Sequence, residues 1–141
     1  VDPFTAPKKI GPSEASTNDL APGIVLPEVS LTSRPEIAFL MPALEALVRD
    51  LSAHYPPFPH RCCEVAATRV EALGLGLDYV NGVFLQPVYG HSHAWNMSAE
   101  LGVYVDITAK QFCDSLPSIL ITPIDSDLAR KHYLRDEYVM W

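Results

Sequence analysis

No run of about 18 apolar residues occurs in this chain, which excludes a single membrane-spanning helix. The amino terminus lacks the basic-then-apolar layout of a signal peptide, so a soluble, cytoplasmic protein is expected, or one delivered to a host cytoplasm by a route the sequence does not display. Lysine and arginine are scarce, 10 against 17 acidic residues, and the net charge is -7 with a pI near 5.0. Without a basic cluster, neither nucleic acid nor an anionic membrane surface is expected as a partner. Cysteine is also scarce. Three residues, an odd number with no framework spacing, exclude a disulfide-stapled scaffold and suit a reducing compartment or a deliberately free thiol.

What the chain does have is apolar content: 48% of its 141 residues are hydrophobic, enough for a single core. Residues 1–32 are the exception, being rich in Pro, Ser, Thr, Gly and Ala, and read as an extended arm. Within it Asp2-Pro3-Phe4-Thr5 resembles a vector-derived scar, so residues 1–5 carry no inference and a longer native chain is left open. Residues 33–141 are expected to form one domain.

A helix is predicted from Ser33, whose hydroxyl can cap while Glu36 reaches back. Ile37, Leu40, Met41, Leu44, Leu47, Val48 and Leu51 then share one face, with Pro42 either kinking the helix or opening a second piece. Pro56, Pro57 and Pro59 end it, and Tyr55 to His60 should be extended. A second helix, from Cys62 to Leu73, has Val65, Ala66, Val70 and Leu73 near one face and stops at Gly74 and Gly76.

Strands are expected over Asp78 to Val88 (with a turn or bulge at Asn81-Gly82), Ser92 to Ser98, Val103 to Thr108 and Ser118 to Pro123. The second and third form a hairpin through Ala99 to Gly102, with residues 94–96 opposite residues 105–107. A short helix over Asp125 to Leu134, capped by Asp125 or Ser126, completes an α+β layout of N-terminal helices packed on an antiparallel sheet.

Three residues suggest chemistry. A thiol in the first turn of a helix sits where the backbone dipole favours thiolate, which makes Cys62 a candidate nucleophile. His93 and Asp106, on neighbouring strands of the hairpin, supply a base and the carboxylate that would orient it. The Cys62 backbone N–H is the expected oxyanion donor. Asn96 is a candidate substrate contact, Glu64 reads as a helix-start charge, and His91 as a loop residue.

Cys62-x-Glu64-x-Ala66 at a helix start, then His93-Ala94-Trp95 on a strand, then Asp106-x-Thr108, resembles the transglutaminase-like branch of the papain-like cysteine enzymes. The likeness spans Arg61 to Phe112. It implies a papain-like fold, a Cys62, His93, Asp106 triad acting on amide carbonyls, and Trp95 packed near the catalytic pair. Peptidases, glutamine deamidases, protein crosslinkers and inactive binding domains all belong to that superfamily.

Hydrolysis is the expected reaction, because no acidic pair or second groove is plainly placed to receive a lysine amine. The rivals are a crosslinking transglutaminase and an inactive interaction domain of the same fold. A zinc site from His60, Cys62, Cys63, His91 and His93 is the other competitor, although adjacent cysteines do not make a Cys-x-x-Cys knuckle. No metal and no organic cofactor are expected, and the partner is a peptide or protein. On this reading iodoacetamide at mildly acidic pH modifies Cys62 and spares Cys63 and Cys113.

Overall fold

The structure is a computed structural model in which residues 34–87 and 90–138 are described. The arm, the Ser33 cap, Val88 and the last three residues lie outside them.

The apolar stripe of the first helix resolves into two pieces. They are α1 (Pro35–Ala38) and α2 (Met41–His54), with Pro42 in the first turn of α2, where a missing N–H costs nothing. Ile37, Leu40, Leu44, Leu47 and Leu51 are buried, as the three-and-four spacing predicts. The proline-rich segment after α2 is not extended. It folds into tight turns, with the Phe58 N–H donating to the Tyr55 carbonyl at 2.7 Å and the His60 N–H to that of Pro57 at 2.7 Å.

Helix α3 (Cys63–Ala72) follows, with Cys62 at its N-cap. Its buried face is Ala66, Ala67 and Val70, whereas Val65 and Leu73 are exposed, so the expected face is rotated. The small alanines let the helix lie close on the sheet, and Asn96 on the facing strand donates its amide to the Ala67 carbonyl at 2.9 Å. Gly74 and Gly76 then take left-handed conformations that end the helix.

Five antiparallel strands form one sheet. They are β1 (Asp78–Leu85), β2 (Gly90–Ser98), β3 (Val103–Asp106), β4 (Leu120–Pro123) and β5 (Tyr133–Arg135), in the order β4-β3-β2-β1-β5. Between β4 and β5 lies α4 (Asp127–His132), whose cap is Ser126, accepting from the Ala129 N–H at 3.1 Å. The expected final helix is therefore too long by its last turn. Tyr133-Leu134-Arg135 leaves helical geometry to pair with β1, a tertiary contact that local pattern does not announce.

Alternation along the strands separates two cores. Val103, Val105 and Ile121 join α1, α2 and α3 on one side, while Trp95, Tyr104, Leu120 and Tyr133 pack with Phe84, Phe112, Leu116 and Leu128 on the other. The hairpin register is as expected, with Asn96 opposite Val105.

Asn81-Gly82 is neither turn nor bulge; both residues pair regularly, opposite Ala94 and His93. Glycine is required at position 82 because a Cβ there would run into the Leu134 carbonyl oxygen and the Trp95 ring. Gly82→Ala should therefore destabilise the fold by about 1–3 kcal/mol, read as a lower urea midpoint at unchanged slope.

Candidate active site

His93 and Trp95 are two residues apart on β2 and share a face of the sheet. Their rings stack at 5.6 Å between centroids, and the Phe112 ring meets His93 edge-on at 4.7 Å. This packing fixes the imidazole. Its Nε2–H donates to Asp106 Oδ2 at 2.7 Å, and both side chains are almost fully buried, 0% and 2% exposed.

Asp106 is satisfied on both oxygens. Oδ1 accepts from the Thr108 N–H at 2.9 Å and the Thr108 hydroxyl at 3.1 Å. Oδ2 accepts the Tyr133 hydroxyl at 2.7 Å in addition to His93. Burial pushes the carboxyl pKa up, but the charge and hydrogen bond of His93, the Tyr133 hydroxyl and the Thr108 N–H together hold it below the ordinary value.

The thiol that meets this pair is Cys63, and the assignment of Cys62 is corrected to it. Cys62 occupies the N-cap with non-helical backbone angles and is only 4% exposed. Burial, and then the neighbouring Cys63, push its thiol up, away from thiolate. Cys63 is the first helical residue and is half-buried. Burial works against its ionisation too. A hydrogen bond from His93, the Ala94 backbone N–H and the His93 charge outweigh that burial and bring the Cys63 pKa below its ordinary value.

The physical reason is helical phase. Ala66, Ala67 and Val70 stand three, four and seven residues after Cys63, so the stripe that α3 lays on the sheet carries Cys63 with it. That signal was present in the sequence. The Cys-x-Glu-x-Ala frame pointed one residue earlier.

His93 is pulled two ways. Burial lowers its pKa, but the charge and hydrogen bond of Asp106, followed by Cys63, push it up to about 9. Nδ1 is buried with no aligned hydrogen-bond partner among the described residues. The thiol thus interacts with the ring without closing an ideally aligned hydrogen bond.

The group opens into a cleft of about 280 Å³ lined by Cys63, Glu64, Asn81, Gly82, Ser92, His93 and Asp136. Comparisons with protein-family models, curated proteins and solved structures give no match.

The other sequence candidates separate clearly. Trp95 lies against His93 as expected. Asn96 is 2% exposed and spent on Ala67, so it ties the sheet to α3 and is no substrate contact. His91 is in β2, not in a loop, and its Nε2 pairs with Gln86 Oε1 at 2.7 Å. Among the described residues no three His, Cys, Asp or Glu side chains gather to hold a metal ion, and no helix is long and apolar enough to cross a membrane. Tyr133 was missed altogether. It reaches Asp106 only because β5 joins the sheet.

Iodoacetamide at mildly acidic pH should alkylate Cys63 first, sparing Cys62 and Cys113, which are buried. Peptide mapping by mass spectrometry reads the result, and preferential alkylation of Cys62 would reverse the correction.

Proposed function

We propose that the chain is a thiol-dependent amide hydrolase of papain-like, transglutaminase-like type, with Cys63, His93 and Asp106 as nucleophile, base and orienting carboxylate. The observation that carries this is His93 joined to Asp106 on one side and coupled to the Cys63 thiol on the other, in the wall of an open cleft.

In this reading the Cys63 thiolate attacks an amide carbonyl, and the developing oxyanion meets the Cys63 N–H, which has no intrahelical partner at the first position of α3. As the C–N bond breaks, His93 gives its proton to the leaving nitrogen. A water then attacks the thioester, losing a proton to His93, and the C–S bond breaks to release the acid and restore the thiolate. Asp106 stays ionised throughout and stabilises the imidazolium.

The cleft lining is polar and open to water, which favours hydrolysis over transfer to an amine. Incubation with glutamine-containing peptides should release ammonia from the side chain or expose a new amino terminus. Efficient incorporation of a primary amine at modest concentration would make the protein a crosslinking enzyme instead. A chain that alkylates at Cys63 yet turns over no amide would favour the inactive interaction domain.

A further inference from the structure

Asp106 Oδ2 accepts two hydrogen bonds of the same length, from His93 Nε2–H at 2.7 Å and from the Tyr133 hydroxyl at 2.7 Å. With the Thr108 N–H and hydroxyl on Oδ1, the carboxylate has a donor for each of its roughly four lone-pair sites. Thr108 holds Oδ1 from two residues along the same chain segment. On Oδ2 the imidazole shares its acceptor with Tyr133, which comes from the far side of the sheet.

Tyr133 has little freedom there. It is 5% exposed, with Phe84 at 5.2 Å and Trp95 at 5.1 Å meeting its ring edge-on and Tyr104 at 5.8 Å and His93 at 6.1 Å tilted against it. Phenylalanine would fill the same aromatic space and bring no polar group into the core. The hydroxyl is spent on the oxygen that holds His93.

The titratable groups that face the carboxylate are His93 from β2 and Tyr133 from β5. Beyond them, Cys63 on α3 meets His93, and Tyr104 on β3 packs against the Tyr133 ring. A donor on Oδ2 draws charge from that oxygen. Without it the same oxygen attracts the imidazolium more strongly, and the carboxylate loses its anchor on the His93 side.

We propose that Tyr133 is a positioning residue for the reaction: its hydroxyl fixes the orientation of the Asp106 carboxylate, and so of His93, and by sharing Oδ2 limits how firmly the imidazole proton is held. This rests on the amide-hydrolase reading for the reaction that the pair serves. A general acid has to give its proton to the leaving nitrogen, so a pair that grips the proton harder and aims the ring less well works more slowly.

The effect on His93 can be read without turnover. The full chain, isotope-labelled at the histidine nitrogens, is titrated by NMR with no substrate present. Tyr133→Phe should raise the His93 pKa by about half a unit or more above the wild-type value. Tyr104→Phe takes a hydroxyl from the neighbouring buried ring and should leave His93 where it is. A ring-fluorinated tyrosine placed at position 133 keeps the ring and is a stronger donor, so the His93 pKa should fall instead; this second variant decides the matter if Tyr133→Phe does not fold. With a glutamine-containing peptide, Tyr133→Phe should lower kcat about tenfold and hold KM within about twofold.

A His93 titration that is alike in wild type and in both position-133 variants would overturn the proposal, as would an equal shift in Tyr104→Phe or an unchanged kcat in Tyr133→Phe. A lower kcat with His93 unmoved would make Tyr133 a packing residue and overturn it as well. The hydrolase reading fails differently: no turnover of any peptide by wild type, with the His93 shifts as expected, would sink that reading and leave Tyr133 as the group that sets the His93–Asp106 pair.

Discussion

Cys63→Ala is expected to reduce amide turnover by a factor on the order of 10⁴ or more, whereas Cys62→Ala should keep activity within about threefold of wild type. The asymmetry follows from where the two sulfurs lie. The Cys63 sulfur has the Ala94 N–H and the His93 ring to hold it as thiolate, and no other group in the cleft lining can make a covalent acyl intermediate with comparable ease. The Cys62 sulfur is a small buried hydrophobe at a helix cap, so alanine there removes packing and costs stability rather than chemistry. Circular dichroism and a urea midpoint on both variants separate these effects. Activity lost in Cys62→Ala and kept in Cys63→Ala would return the nucleophile to position 62.

The register of the β2–β3 hairpin was legible because it depends on local rules: alternation, a four-residue connection and a glycine with positive φ at its end. Those rules alone bring His93 and Asp106 together. The first helix pair was legible for the same reason, since its apolar spacing and Pro42 are both local signals. What failed depended on phase or on distant partners. A one-residue difference at a helix start turns a side chain by about 100°, and only the full stripe of α3 decides between two adjacent cysteines. Tyr133 and Asp136 reach the site because three residues after α4 add a fifth strand next to β1, and nothing in Tyr133-Leu134-Arg135 distinguishes that strand from one more helical turn.

The pH dependence should carry the signature of the buried pair. With His93 raised to about 9, kcat/KM is expected to fall on the alkaline side with an apparent pKa near about 9, as the imidazolium that protonates the leaving nitrogen is lost. On the acid side it falls as the thiolate is protonated, below the ordinary thiol range because the Cys63 pKa is lowered. Stability follows the same groups with opposite signs. The folded pKa of His93 lies above its unfolded value of 6.5, so its contribution is complete below 6.5 and is lost as pH rises through about 9. The folded pKa of Asp106 lies below its unfolded value of 3.8, so its contribution is present above 3.8 and is lost as pH falls. Between those limits the pair contributes most, and the His93 share is on the order of 3 kcal/mol. Asp106→Asn removes the largest influence holding the imidazolium and leaves only Cys63 to oppose burial, which shifts the ring towards its neutral form. The variant should therefore lose activity by a factor on the order of 10⁴, and its alkaline limb should move down by more than a unit. The loss of stability expected between pH 6.5 and 9 in wild type should flatten in Asp106→Asn. An alkaline limb that stays near 9 in the variant would mean that Asp106 does not hold the His93 proton, and the triad would reduce to a Cys63–His93 pair.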